Sequence, residues 1–299
     1  MTTFVDGPVR ASVPATSANL GPGFDAFGLA LSMRDQLEAE VLADGLVVDV
    51  AGSGADTVPR DESHLVVRAM RAAFELMGEQ PPGLRLSCRN VIPHARGLGS
   101  SSAAIVGGVV LARGLVAGGQ LLASDEALLG LAADIEGHPD NVAAAFHGGF
   151  VISGREADHW YAVRSGVDPR VTAVVFVPPD GVETTVARGL LPDAVPHADA
   201  AANAGRAALL VAALAGQPEH LLAGTRDWLH QEQRQPAMPA SLALVHSLRD
   251  AGIPAVVSGA GPTVLAFGTT DTAPLQASCP DGWTCHALAV ESAGALLLA

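Results

Sequence analysis

The chain has 299 residues, 49% hydrophobic and 16% charged, which supports a sizeable core and rules out a disordered chain. Its formal net charge of −14 repels phosphate backbones and anionic lipid, so neither nucleic-acid nor membrane binding is expected. All 17 basic residues are arginine, which excludes a lysine Schiff base, the Walker-A lysine and the strand lysine of protein kinases.

The first fifty residues read as extended segments and loops. Leu37, Ala39 and Val41 alternate with polar residues, Asp44-Gly45 follows, and Leu46, Val48 and Val50 resume the alternation, which predicts a β-hairpin. Leu65, Val66, Ala69, Met70, Ala73, Phe74 and Met77 recur at three and four, predicting an amphipathic helix that stops at Gly78. Residues 84–92 predict a strand, and the small apolar run from Ala103 to Val116 predicts a buried helix. Ser124 predicts the N-cap of a helix through Glu136, ended by Gly137 and Pro139. Strands near 149–153 and 160–164 complete a first domain, 1–165.

A composition shift at SGVDPR opens the second domain, 166–299. It carries a strand at 171–177, helices near 199–215, 218–230 and 239–251, and strands at 255–257, 263–267 and 284–290. The run 197–214 reads as a core or interdomain helix with Asn203 and Arg206 facing the site. Strands and helices mix without a regular βαβ repeat, which predicts an α+β fold. The opening residues show no basic stretch followed by an apolar one. The apolar run Ala103 to Ala112 is too short to span a bilayer, and Cys88, Cys279 and Cys285 follow no zinc spacing. A cytoplasmic protein is expected.

Three segments hold too much glycine, serine and asparagine for ordinary turns: PATSANLGPGFDAFGLAL (14–31), PHARGLGSSSAA (93–104) and SGAGPTVLAF (258–267). In the second, a strand leads in, Gly97 and Gly99 permit a tight bend, and Ser100-Ser101-Ser102 opens a helix. Free N–H groups and the positive dipole end make such a helix start an anion cradle. Taken alone, GLGSS reads equally well as a small-residue turn. It is no Walker A, lacking Gly-Lys-Ser/Thr, and no dinucleotide fingerprint, since Ser102 stands where a third glycine is needed. A fourth segment, EGHPDN (136–141), groups Glu136, His138, Asp140 and Asn141. Glu136 is a hard-oxygen ligand suited to magnesium, although the segment alone reads more simply as a helix end.

Together and in this order, these motifs resemble the GHMP family of small-molecule kinases. PHARGLGSSSAA resembles its ATP-phosphate loop and SGAGPTVLAF its C-terminal glycine motif. PATSANLGPGFD and EGHPDN resemble the branch that phosphorylates L-homoserine rather than those acting on mevalonate, galactose or cytidyl-methylerythritol. The resemblance covers nearly the whole chain. It implies the GHMP kinase fold, with an N-terminal domain like the second domain of ribosomal protein S5 and a ferredoxin-like C-terminal domain. It implies ATP and Mg2+ as cofactors and ATP and L-homoserine as small-molecule partners, with a homodimer left open.

Residue by residue, the resemblance places Pro93, Arg96, Gly97, Leu98, Gly99, Ser100, Ser101, Ser102 and Ala103 around the ATP phosphates, and Ser101 and Glu136 on magnesium. It sets Asp25 against the substrate ammonium, Asn19 near the reacting hydroxyl, and Arg188 and Arg234 on the carboxylate. His138 and Asn141 line the pocket, and Gly259 and Gly261 shape its floor. Adenine contacts near Ser63-His64-Leu65 are not assigned. The remaining histidines, His230 among them, are expected to be structural or solvated. Mevalonate-type members carry an aspartate where this chain has Asn141. An amide cannot accept a proton, so transition-state stabilisation by Asn19, Asn141 and Glu136 without a strong protein base is expected. Another kinase of the family acting on a different alcohol, or a non-catalytic metabolite binder, are the alternatives.

Overall fold

The computed structural model describes residues 4–269 and 271–298. Its first part runs β1 (Val9–Ala18), β2 (Phe27–Leu42), β3 (Gly45–Gly52), α1 (Leu65–Leu76), β4 (Gly83–Asn90), α2 (Ser100–Leu115), α3 (Gly119–Leu122), α4 (Asp125–Glu136), α5 (Asp140–His147), β5 (Phe150–Glu156) and β6 (His159–Ser165). The second part runs β7 (Thr172–Val177), α6 (Thr184–Gly189), α7 (His197–Gly216), α8 (Leu221–Gly224), α9 (Pro239–Asp250), β8 (Ala255–Val257), β9 (Val264–Gly268), α10 (Ala273–Gln276), β10 (Thr284–Ala289) and β11 (Leu296–Leu298).

The first sheet has the order β11-β1-β2-β4-β3, with β5 pairing β2 and β6 pairing β5. The expected hairpin between β2 and β3 does not form. β4 inserts between them, antiparallel to β2 and parallel to β3. The turn signal at Asp44-Gly45 is real, with Gly45 at φ 75°, but the partner of β3 is decided by α1, which carries the chain back to the sheet for a parallel pairing.

Helices α1, α2, α4 and α5 pack together, with α2 and α5 lying on β1 and β2. The predicted features of α1 and α4 are present: α1 buries Val66, Ala69, Met70, Ala73 and Phe74, and the Ser124 hydroxyl accepts from Ala127 N–H at the start of α4. α2 is buried nearly all round. Its small residues allow close packing: a Cβ on Gly108 would lie 2.6 Å from the Val66 carbonyl oxygen of α1. Helix α5 is not among the predicted elements. Pro139 reads as a stop, yet here it is the N-cap residue of a buried run of small apolar residues.

The second sheet has the order β10-β7-β9-β8, all antiparallel. Numbered within this half, that is 4-1-3-2, the ferredoxin-like order expected. Alternation along β7 divides its side chains. Ala173, Val175 and Val177 join a core shared with the first half, while Val174 and Phe176 join a core with Leu242, Val245 and Leu248 of α9. The last strand, β11, returns to the first sheet and pairs β1.

The expected continuous helix over 218–230 is broken. A short 3-10 turn (Pro218–His220) leads into α8, and the chain then turns because the Asp227 carboxylate accepts from the N–H groups of Leu229, His230 and Gln231. Helix α7 is long and apolar enough, by length and composition, to cross a bilayer. Here it buries Asn203, Leu210, Ala213 and Leu214.

Candidate active site

The four motifs meet where the halves join, around a cavity of about 240 Å³. Gly97, Gly99, Ser100 and Ser101 form one wall, Glu136, His138, Asp140 and Asn141 another, and Arg188 and Arg234 face them, with Asn19, Gly259 and Ala260 between. Of the five described non-glycine residues in the left-handed region, four lie in or beside these motifs: Asn19, Leu20, Asp25 and Ala95. Such conformations cost roughly 1–3 kcal/mol each and persist only where the surroundings hold them, as they commonly do at functional sites.

Residue 99 decides what the second motif can bind. Gly99 is the N-cap of α2 at φ 70°, and no side chain caps this helix. The N–H groups of its first turn are therefore not taken by a capping side chain, and they open beside the cavity as an anion cradle. Ser101 and Ser102 hydroxyls both donate to Glu136 Oε1, at 2.6 and 2.8 Å. A hydroxyl and a carboxylate thus stand together at the cradle's edge. Among the described residues no cluster of three His, Cys, Asp or Glu could enclose a metal alone. This donor set fits a magnesium ion held chiefly by phosphate oxygens and one protein carboxylate.

The predicted residues divide by what they touch. Arg188 forks Asp25 at 2.7 and 3.0 Å, and this pairing holds the guanidinium above its ordinary pKa. Arg234 is buried; its Nη1 donates to the Gly259 carbonyl at 3.0 Å and to His230 Nδ1 at 3.1 Å. Burial first, then the charge of Arg188, pushes Arg234 down to about 10, still cationic at neutral pH. Asn19 works as a brace. Its Nδ2 donates to the Gly259 carbonyl and its Oδ1 accepts from Asp25 N–H, both at 2.9 Å. This geometry ties the first and third motifs together and does not single Asn19 out for aligning a hydroxyl.

His138 Nδ1 lies 3.0 Å from Asp140 Oδ1. Burial lowers the His138 pKa, but the Asp140 hydrogen bond and the charges of Asp140 and Glu136 outweigh it, and the net direction is upward.

Several expected contacts fall elsewhere. Arg96 turns away from the cradle and donates to the carbonyls of His94, Pro178 and Pro179, which fasten the loop to the second half. Leu98 is in the core, where its carbonyl accepts from Thr16 N–H. Pro93, Ser102 and Gly261 are not in the cavity lining, and Gly261 packs against Met238. Ala103 lines a neighbouring cavity of about 250 Å³ shared with Ser100 and Ser101, together with His64, Leu65 and His94. Asn203 donates to the Pro22 carbonyl, and Arg206 lies over Trp228, 5.8 Å from its ring centre.

Sequence reasoning missed Thr16, whose hydroxyl donates to Asn141 Oδ1 at 2.7 Å. His230, expected to be structural or solvated, is structural: it is fully buried and held between Arg234 and the Gly21 carbonyl, 2.8 Å from Nε2. Thr16 sat inside a motif already singled out. His230 precedes Arg234 by four residues, a spacing whose meaning needs the fold.

Family comparison agrees with this geometry. Residues 64–149 match the GHMP kinases N terminal domain and residues 207–278 match the GHMP kinases C terminal domain. The chain belongs to the GHMP kinase family. It is 56% identical to the homoserine kinase of Streptomyces coelicolor over 97% of this chain and 94% of that one. It is 49% identical to the homoserine kinase of Clavibacter michiganensis, covering 96% and 92%. Its fold matches the crystal structure of homoserine kinase from Cytophaga hutchinsonii with TM-score 0.86 and 25% identity, covering 99% of both chains. It also matches a putative homoserine kinase from Listeria monocytogenes, with TM-score 0.78 and 32% identity over 97% and 99%.

Proposed function

We propose that this enzyme is a homoserine kinase, transferring the γ-phosphoryl group of ATP to the side-chain hydroxyl of L-homoserine to give O-phospho-L-homoserine and ADP, a step of threonine biosynthesis. One observation carries the reading beyond family membership: an anion cradle at the start of α2 shares a single cavity with Arg188 and Arg234, and Asp25 sits in the grip of Arg188. A zwitterionic amino acid needs one anion and guanidinium forks; a purely anionic alcohol would have no use for Asp25.

In this reading the loop Gly97–Ser102 holds the triphosphate through backbone N–H groups. The nucleoside half lies in the adjoining cavity beside His64 and Leu65. The family generally works with ATP and Mg2+; bound between Ser101 and Glu136, the ion would neutralise phosphate charge. Asp25 takes the substrate ammonium, and Arg188 and Arg234 take its carboxylate, which points the hydroxyl towards Asn141.

Three of the four carboxylates at or beside the cavity already accept hydrogen bonds, Asp25 from Arg188, Glu136 from Ser101 and Ser102, and Asp140 from Asn141 N–H; the fourth, Glu183, is exposed. That pattern supports transfer by positioning and charge stabilisation, with the hydroxyl proton leaving late to phosphate or water. The matching test is ADP release with homoserine, with mevalonate and with no alcohol. Turnover confined to homoserine is expected. Equal turnover with mevalonate, or none with any alcohol, would overturn the assignment.

A further inference from the structure

We propose that Thr16 is a positioning residue for the transfer: with the Asp140 carboxylate, its hydroxyl fixes which end of the Asn141 amide faces the reacting oxygens. The inference rests on the reading that Asn141 meets those oxygens.

Thr16 is fully buried on β1. Its N–H donates to the Leu98 carbonyl at 3.0 Å and its hydroxyl to Asn141 Oδ1 at 2.7 Å. On the other side, Asp140 Oδ1 accepts from Asn141 N–H at 2.7 Å and lies 3.4 Å from Asn141 Nδ2. The two ends of an amide are chosen by their neighbours. Flipping this one would set its carbonyl oxygen against the Asp140 carboxylate. Thr16 could then accept from the amide, but its own buried proton would have no acceptor, and a buried donor left unsatisfied is costly. The Asp140 carboxylate, which only accepts, sets the sense, and Thr16 reinforces it by placing its proton on Oδ1, with Nδ2 towards Asp140.

The consequence is chemical. Asn141 has its carbonyl oxygen engaged and keeps N–H for the cavity it lines. It serves as a donor to oxygens that gain charge during transfer, and it cannot help remove the hydroxyl proton. The phosphate loop is fitted to the same contact. A Cβ on Gly99 would collide with Thr16 Oγ1 and lie 3.1 Å from Asn141 Oδ1. Thr16 thus meets the loop through Leu98 and Gly99 and meets α5 through Asn141, holding both in one register.

The test is a double-mutant cycle on the full chain with ATP, Mg2+ and homoserine, using Thr16→Val, Thr16→Ser, Asn141→Ala and Thr16→Val/Asn141→Ala, with thermal melting to confirm folding. Loss of one buried hydrogen bond that orients a donor predicts a fall in kcat of about 30-fold for Thr16→Val, both KM values staying within about 3-fold. Thr16→Ser, which keeps the hydroxyl, restores kcat to within about 3-fold, and Thr16→Val adds less than about 3-fold on the Asn141→Ala background. Thr16→Ala is the companion should the valine variant fail to fold, and it is read identically. Unchanged kcat in Thr16→Val, or an equal loss with Asn141 already removed, would overturn the proposal. Full activity of Asn141→Ala would instead overturn the reading of Asn141 beneath it.

Discussion

Arg188, which lines the cavity, and Asp25 beside it form a two-point ion pair, their nitrogen–oxygen distances 2.7 and 3.0 Å. Each partner is the complement of one end of a zwitterion. An incoming amino acid offers a carboxylate to the arginine and an ammonium to the aspartate, so the pair opens without leaving either charge unmatched. With side-chain exposures of 36% and 38%, the pair is well solvated, and separating it costs little.

Asp25→Asn should therefore act on substrate binding. It removes the anion for the ammonium and leaves Arg188 unpaired until the carboxylate arrives. Steady-state kinetics should show the homoserine KM raised about 50-fold with the ATP KM within about 3-fold, the pattern of a lost charge-assisted contact to one substrate. An ATP KM rising in parallel would place Asp25 elsewhere in the mechanism.

Glu136 is the one carboxylate at the edge of the phosphate cradle that two serine hydroxyls address. Glu136→Gln keeps the shape and a hydrogen-bond acceptor but removes the charge. Titration of activity with Mg2+ should need about 10-fold more metal for half-maximal rate, because magnesium at such sites depends on one or two carboxylates. An unchanged Mg2+ requirement would remove Glu136 from the metal's surroundings.

Glu183 is exposed where it lines the cavity, at the N-cap position of α6. Glu136 and Asp140 line the same cavity but accept side-chain or backbone hydrogen bonds, whereas Glu183 is the exposed lining carboxylate without such a partner among the described residues. Positioning and electrostatics suffice in a loose transition state, so Glu183→Gln should keep kcat within about 3-fold and leave its pH profile unmoved. Disappearance of an acid limb in this variant would establish a protein base.

The sequence made local features legible and left non-local ones open. The periodicity of α1, the Ser124 cap of α4 and the small-residue run of α2 are set by neighbours within a few positions, and they appear where expected. The β2–β3 hairpin failed because β4, arriving thirty residues later, outcompetes the local turn. The 218–230 helix failed because the Asp227 carboxylate accepts from the N–H groups of Leu229, His230 and Gln231 and turns the chain there. In the site, the glycine loops were readable because positive φ favours glycine. Asn19, Leu20, Asp25 and Ala95 adopt the same region without glycine and gave no such signal. Nor could spacing separate Arg234, buried and aimed at the cavity, from Arg96, which holds three carbonyls on the other side of the loop.

Asp35 links the loop entry to pH. Its carboxylate accepts from Val91 and Ile92 N–H groups at 2.6 and 2.9 Å. Burial outweighs these bonds and raises it from 3.8 to about 6. The folded protein therefore binds this proton more tightly than the unfolded chain. The resulting stabilisation is complete below about pH 4, declines as pH rises through about 6, and is absent above that, a change of about 3 kcal/mol. Urea unfolding of the wild type and Asp35→Asn, which has no such proton, should show the wild type losing that much relative to the variant between pH 4 and 7. A difference independent of pH would contradict the assignment.

The most direct measurement of the central claim is a crystal structure with a non-hydrolysable ATP analogue, Mg2+ and L-homoserine. The triphosphate should lie on the backbone N–H groups of Gly97–Ser102, with the homoserine carboxylate on Arg188 and Arg234 and its hydroxyl facing the γ-phosphoryl group beside Asn141. A triphosphate bound away from that loop, or homoserine bound with its hydroxyl turned from the nucleotide, would contradict the account.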